Sequence, residues 1–358
     1  MKKNLIFLGI ETSCDETAAA VVQQDSNGKA KVLSSEVSSQ SKIHEKFGGV
    51  VPEIAARAHL ENIDFIINKC LQRSKIKLDD VDGIAATAGP GLIVCLNVGL
   101  SVGKTISAFK KKPFIAVNHL EGHALSPSLE KRLEFPYLLL LISGGHSQFL
   151  IVKNIADYEQ LGTTIDDALG EAFDKTAKML NLGYPGGKLI EKYASKGNER
   201  KFNFPKPIIN RAGCNLSFAG LKTAVLRETK NIGKDINQKY DLAASFQKTI
   251  NEILKKKTLV AMNQFLEKTR KVNSHFVVAG GVAANLSIRK NLKEISLAKN
   301  FQPLFPKIEY CGDNAAMIAW AGIQRFKKKF KNKLDFSAKS RWPLDDKAPF
   351  MKGPGLKL

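Results

Sequence analysis

Cysteine is scarce in this chain: five residues, odd in number, scattered through 358, with no Cys-x-x-Cys spacing. That excludes a disulfide framework and a cysteine-built zinc knuckle, and it fits a reducing cytoplasm. Acidic residues are the minority charge, 34 against 55 Lys and Arg, which leaves a net charge of +21. An uninterrupted apolar run of membrane length is lacking, so no membrane span is expected. A cleavable leader is not expected either. The opening Met1-Lys-Lys-Asn-Leu-Ile-Phe-Leu-Gly-Ile resembles one briefly, but Glu11, Asp15 and Glu16 follow too soon. A basic pair leading into a buried strand is the better reading.

What is present belongs to a globular protein: 44% hydrophobic and 25% charged residues, in a chain long enough for two lobes with separate cores. The positive excess points to a polyanionic partner, most simply a nucleic acid. A general lysine-rich habit is the plainer alternative, because lysine far outnumbers arginine.

Histidine is also scarce, at six residues, yet two of them fall four apart in Asn118-His119-Leu120-Glu121-Gly122-His123. The segment follows an apolar strand candidate, Pro113 to Val117. If it is helical, the two imidazoles share one face, about 5–6 Å apart at Cβ, and can grip one divalent metal. Two surface histidines on a capped helix start is the bland alternative. The metalloprotease signature, His-Glu-x-x-His, is not matched. Position 120 is leucine, and Glu121 points about 200° round the helix from His119.

Two strand-turn-strand patterns lie about 130 residues apart. The first, residues 4–22, has a polar tip carrying Thr12, Ser13 and Thr17 hydroxyls and the carboxylates of Asp15 and Glu16, which suits phosphate oxygens. The second, Pro136 to Val152, turns at Ser143-Gly144-Gly145, where glycine lets a ligand approach the backbone. Between them, Gly48-Gly49 and Pro52-Glu53 start a helix ending near Glu61, and residues 81–88 read as a buried strand. Gly89-Pro90-Gly91 then turns into a helix from Leu92 to about Phe109, whose Gly99 and Gly103 suggest close packing. Gly99 to Thr105 is one residue short of a P-loop and lies inside an apolar helix.

Asp167, Glu171 and Asp174 recur at helical spacing as an acidic face, and Tyr184-Pro185-Gly186-Gly187-Lys188 and Glu191 follow. Residues 192–210 read as a surface excursion, and 239–268 as a helix. His275 to Ala279 is a strand whose Gly280-Gly281 turn leads to a helix N-terminus suited to a nucleotide. Asp313 opens an apolar helix, either as its N-cap or as a ligand aimed inward. The basic run from Arg325 to Lys333 and the tail read as exposed surface, with the last dozen residues mobile.

The stretches GIETSCDETAAAVV, HEKFGGVVPE, AGPGL, NHLEGH, LLISGGHSQF, DDALGEAFDKTAKMLNLGYPGG, LSFAGLKTAV, VAGGVAANLSIR and CGDNAAMIAWAG span residues 9 to 322. In that order they resemble the TsaD/Gcp family of tRNA N6-adenosine threonylcarbamoyltransferases, in its bacterial or organellar branch. The resemblance implies an α/β fold of the actin/Hsp70/sugar-kinase class, two-lobed, with duplicated hairpin-led subdomains and a central nucleotide cleft. It divides the chain into 1–134, 135–322 with a helical insertion around 160–235, and a basic segment 323–358.

It also implies His119, His123 and Asp313 as ligands of one divalent metal, iron by family usage, with zinc permitted by the same donors. Leu141, Ile142, Ser143, Gly144, Gly145, Asp174, Gly187, Glu191 and Asn285 would bind the substrate threonylcarbamoyl-AMP, and Asp15 and Glu16 match the catalytic acidic pair. Phe47, Lys188 and Gly312 depart from the family's usual residues without removing a ligand. The expected reaction is attack by N6 of adenosine 37, in an ANN-decoding tRNA, on the carbamoyl carbonyl, with AMP leaving. Expected partners are tRNA, a shorter TsaB-like paralogue and a TsaE-like ATPase. A kinase or ATPase of the same fold, an endopeptidase and a non-enzymatic subunit are the alternatives; the sequence has no sugar pocket, no His-Glu-x-x-His, and all three ligand positions filled.

Overall fold

The computed structural model describes residues 4–233 and 235–349. In chain order its elements are β1 (Leu5–Glu11), β2 (Glu16–Gln24), β3 (Ala30–Ser39), α1 (Ser41–Glu45), α2 (Pro52–Ser74), β4 (Gly83–Gly89), α3 (Ile93–Lys110), β5 (Phe114–Asn118), α4 (His119–Leu125), β6 (Tyr137–Ile142), β7 (Ser147–Asn154), β8 (Asp157–Thr163), α5 (Leu169–Met179), α6 (Gly186–Ala194), α7 (Ala219–Ile232), α8 (Ile236–Thr269), β9 (His275–Ala279), α9 (Leu286–Ala298), β10 (Gln302–Leu304) and α10 (Ala315–Lys327). Residues 4–133, 154–157 and 306–346 form one compact unit; 134–153, 158–305 and 347–349 belong to the other. The chain-order segments expected from the sequence do not follow this division. The stretch from Pro306 returns to the first unit because α10 packs on β1, β2 and β4.

The first unit holds a five-stranded mixed sheet in the order β3-β2-β1-β4-β5. Hairpin strands β1 and β2 pair antiparallel, while β4 and β5 extend the sheet in parallel from β1. Alternation along β1 sorts its side chains between two faces. Leu8 and Ile10 join a core with Ile63 and Ile66 of α2 and Val98 and Leu100 of α3. On the other face Phe7 meets Phe326 of α10, ring centroids 5.5 Å apart. Gly9 lies directly under α10: a Cβ there would stand 2.3 Å from Ala315 O and 2.6 Å from Ala319 N. Glycine therefore sets how closely α10 approaches the sheet.

Helix α2 starts at Pro52 as expected but runs to Ser74, well past Glu61, because Ile63, Ile66, Ile67 and Cys70 continue its buried face. Helix α3 has the length and hydropathy of a membrane segment. Its Gly99 and Gly103 face Thr12 and Ala86, and they press it against the sheet as a core helix.

Most of the tail is exposed, as expected, yet it is docked on the first unit. Asn332 pairs with the outer edge of β5, its N–H donating to Phe114 O (3.0 Å) and its Oδ1 accepting from Ala116 N (2.9 Å). Lys339 N donates to Ala88 O (2.7 Å), and Phe336, Ala338 and Trp342 pack on the core. An edge strand is thereby covered. Lys2, Lys3 and residues 350–358, including most of the stretch expected to be mobile, lie outside the described residues.

The second unit repeats the plan, in the order β10-β9-β6-β7-β8. Strands β6 and β7 form the hairpin, and β9 and β10 extend it in parallel. Strand β8 was not legible in the sequence, because Asp157-Tyr-Glu-Gln-Leu-Gly-Thr is mostly polar. The surface excursion is tethered to α8: Asn198 N donates to Asp241 Oδ1 (2.7 Å) and Phe202 N to Ser245 Oγ (3.1 Å).

Gly9→Ala is expected to destabilise the protein by about 1–3 kcal/mol through overpacking against the α10 backbone. Gly145→Ala, whose Cβ would meet nothing within 4 Å, is expected to change stability by less than about 0.5 kcal/mol. Thermal unfolding of the two variants checks both; equal melting temperatures would refute the packing role of Gly9.

Candidate active site

Strand β5 ends at Asn118, whose side chain accepts from Leu120 N (2.9 Å) and caps α4. The helix then carries His119 and His123 on one face, their rings edge to face with centroids 4.7 Å apart. From the other side comes Asp313. The sequence left its role open between N-cap and ligand, and the structure decides: Asn314 caps α10 by accepting from Met317 N (3.0 Å). Asp313 Oδ1 turns to the rings, 3.0 Å from His123 Nε2 and 3.4 Å from His119 Nε2. Donor atoms from the three residues all lie within 4.8 Å of one another.

Glu11, at the end of β1, completes the arrangement, and reading the sequence missed it. Its Oε2 is 2.9 Å from His119 Nδ1 and accepts from Thr87 Oγ1 (2.6 Å). Ser13 Oγ lies 3.2 Å from the same ring nitrogen. A carboxylate can only accept, so His119 Nδ1 carries a proton, and Nε2 faces Asp313 as a second donor or, once deprotonated, as a metal ligand. Lone pairs facing a carboxylate oxygen need protons or a cation between them. Two imidazoles and a carboxylate suit a borderline divalent metal, and a carboxylate behind the first imidazole is the usual support for such a ligand. The residues present fit the group that the resemblance implies. The one sequence signal for Glu11 is a carboxylate closing an otherwise apolar strand.

Burial pushes the Glu11 and Asp313 carboxyls up, but the facing imidazole of His119 outweighs it and holds both below the usual carboxylate range. The same burial pushes His119 down, and Asp313 with Glu11 outweighs that, holding it well above the usual imidazole range. Glu121 is no part of this set. It is buried on the far side of α4, ion-paired with Arg325 and accepting from Ala156 N (3.0 Å).

The first hairpin's tip bears Asp15 and Glu16 beside this group. His59 of α2 anchors it, its Nε2 3.0 Å from Cys14 O and its Nδ1 2.8 Å from Thr17 Oγ1. Burial, then the Asp313 and Asp15 charges, push the Glu16 carboxyl well up and favour its protonated form. The three tip hydroxyls expected to hold phosphate are engaged internally instead. Thr12 Oγ1 donates to Cys95 O and accepts from Gly99 N, Ser13 reaches His119, and Thr17 reaches His59.

The remaining expected residues gather within the second unit. Leu141 and Ile142 end β6 and are fully buried, and Ser143 O accepts from Gly170 N (3.2 Å). Asp174 Oδ1 accepts from Gly186 N (2.8 Å) at the start of α6. Asn285 caps α9 by accepting from Ile288 N (2.9 Å) and donates to Gln247 Oε1 (2.8 Å). Glu191 Oε1 accepts from Leu286 N (2.6 Å) and Ser287 N (3.3 Å), so a carboxylate occupies the helix start expected to favour a nucleotide anion. The acidic face divides: Asp167 is paired with Lys175 and Lys222, and Glu171 with Lys175. Gly144, Gly145, Gly187 and Gly281 are different. None has a left-handed φ, and a Cβ on any of them would meet nothing within 4 Å. Neither conformation nor packing requires glycine there, which leaves open backbone that a ligand can approach.

A family model described as TsaD, tRNA N6-adenosine threonylcarbamoyltransferase, matches residues 31–320. A protein of that name from Pelagibacter ubique is 58% identical over 358 residues, covering 100% of both chains. Another from Rhizobium leguminosarum is 50% identical, covering 99% of this chain and 98% of its own. Among solved structures, HypF from T. kodakarensis matches with a TM-score of 0.60 at 16% identity, over 91% of this chain and 48% of that one. Full-length HypF in a phosphate- and nucleotide-bound form gives 0.53 at 14%, over 93% and 47%. The chain thus spans about half of those longer proteins, and the likeness establishes the actin/Hsp70/sugar-kinase fold class alone.

Glu11→Gln is expected to weaken Zn2+ binding by roughly 10-fold, since the amide no longer enforces one tautomer and orientation of His119. Competition titration against a chelator measures this, with circular dichroism confirming the fold; unchanged affinity would count against the supporting role.

Proposed function

The chain belongs to the TsaD family of tRNA N6-adenosine threonylcarbamoyltransferases, and from that premise we propose the following reaction for it. It transfers the threonylcarbamoyl group of threonylcarbamoyl-AMP to N6 of adenosine 37 in ANN-decoding tRNAs. The new bond joins N6 to the carbamoyl carbon, the bond from that carbon to the phosphate oxygen breaks, AMP leaves, and N6 loses one proton. The observation that carries this reading is the convergence of His119, His123 and Asp313 donor atoms within 4.8 Å.

A divalent ion held by those three residues supplies Lewis acidity toward an acyl or phosphoryl oxygen; iron is the family's usage, and the donors accept zinc equally. Glu11 orients His119 for that task. Of the acidic pair at the neighbouring tip, Asp15 is assigned to accept the N6 proton. Glu16 is the member kept protonated, and so suited to donating a hydrogen bond. The open backbone at Gly144, Gly145 and Gly187 is assigned to the adenylate, with Leu141, Ile142 and Ser143 shaping the turn and Asp174 holding α6 beside it. Asn285 and Glu191, at the start of α9, are assigned to the ribose hydroxyls.

The net charge of +21 supports contact with the tRNA backbone, and the anticodon loop presents its base without duplex melting. A TsaB-like paralogue and a TsaE-like ATPase are the proposed partners on family grounds. Five free cysteines support a reducing cytoplasm.

The test combines the protein and its partners with threonylcarbamoyl-AMP and unmodified ANN-decoding tRNA, with the modified nucleoside read by mass spectrometry. His119→Ala and His123→Ala are expected to lose the product while remaining folded, and full product from both would refute the metal's role. Gly145→Ala, neutral for stability, is expected to weaken threonylcarbamoyl-AMP binding at least 10-fold, because a methyl group enters space assigned to the ligand.

A further inference from the structure

Glu121 sits between the two histidines on α4 and reaches neither. Its side chain is fully buried, with Oε2 paired to Arg325 Nη1 and Oε1 accepting from Ala156 N at 3.0 Å. Arg325 lies in the last turn of α10, its guanidinium 4.8 Å from the Phe330 ring centroid. Asp313 lies just before the N-cap Asn314 at the other end of that helix, about twelve residues or roughly 18 Å away along its axis. One face of α4 therefore meets the start of α10 through the His-His-Asp group, and the opposite face meets its end through an ion pair.

Helix α4 has only seven residues, too few to hold its orientation alone. Gly122 lies against α10, where a Cβ would come within 2.9 Å of Ile318 Cδ1. A buried ion pair adds little net stability over an apolar pair of similar shape, but it is directional. The Glu121 carboxylate meets a guanidinium with one oxygen and a backbone N–H with the other.

We propose that Glu121 and Arg325 form a positioning pair that keeps His119 and His123 in register with Asp313. This rests on the reading that those three residues bind a divalent ion. Electrostatics alone gives Arg325 the opposite role: removing a cation near a metal site should strengthen metal binding. Positioning demands that the same removal weaken it. The sign of the change separates the two.

The experiment titrates Zn2+ into the metal-stripped full-length protein by competition with a chromophoric chelator. Wild type is compared with Arg325→Met, Arg325→Lys and the double variant Glu121→Gln/Arg325→Met, with circular dichroism and thermal unfolding on the same samples. Arg325→Met is expected to weaken Zn2+ affinity about 10-fold or more, the range seen when support behind a metal ligand is lost. Arg325→Lys recovers part of that loss. The double variant melts above Arg325→Met, since no buried charge is left unpaired, yet keeps the weakened affinity. Equal or tighter Zn2+ binding by folded Arg325→Met overturns the proposal. Should Arg325→Met fail to fold, Arg325→Lys decides: affinity reduced at least threefold supports the positioning role, and wild-type affinity overturns it. A wild-type protein that does not bind Zn2+ overturns the metal reading and this role with it, whereas tight wild-type binding matched by every variant removes the positioning role alone.

Discussion

Asp313 Oδ1 stands 3.0 Å from one imidazole and 3.4 Å from another, so a single carboxylate oxygen ties the loop before α10 to helix α4. The rest of the first unit serves that meeting point. Burying a carboxylate against uncharged neighbours would be strongly unfavourable, and the imidazoles reverse the sign by offering positive charge or a metal in its place. His119 can do so because Glu11 stands behind it, and Glu11 is held in turn by Thr87 from β4 and by Ser13 N at the hairpin tip. Asp313, His119, Glu11 and Thr87 are thus linked in one network, while the buried Nδ1 of His123 has no hydrogen-bond partner among the described residues.

Close backbone approach makes the network possible. Asp313 arrives beside the hairpin only because α10 lies nearly on the sheet, and Gly9 permits that by presenting no Cβ to Ala315 and Ala319. At the other end of the sheet, the strap through Asn332 and Trp342 covers the edge of β5, and Asn118 Nδ2 donates to Trp342 O (2.9 Å). The residue that caps the histidine helix is thus itself fixed by the tail.

The two units share one strand order and use their hairpin tips oppositely. The first tip folds its hydroxyls inward to His59, His119 and α3, and leaves carboxyl groups beside the His-His-Asp group. The second leaves glycine backbone bare at positions 144 and 145. Duplicated topology supplies two similar loops, and side chains decide which becomes a charged centre and which an open ledge.

The sequence by itself determined the two hairpins and their repetition, the strand at 81–88 and those ending at Val117 and Ala279, and the spacing that puts His119 and His123 on one face once the segment is helical. These rest on local periodicity, caps and turn residues, which act over a few positions. It also determined the family, through motifs running most of the chain's length. Only the tertiary structure decided the rest. Strand β8 is too polar to announce itself and exists because β7 offers it an edge. Glu11 reads as the polar end of a strand until His119 is brought to it from 108 positions away. Asp313 could have capped its own helix, and it was Asn314 taking that role that released it to the imidazoles. Glu121 looked idle beside the histidines until Arg325 reached it. In each case the deciding partner lies far along the chain, and a contact between distant residues is set by packing, which no local pattern encodes.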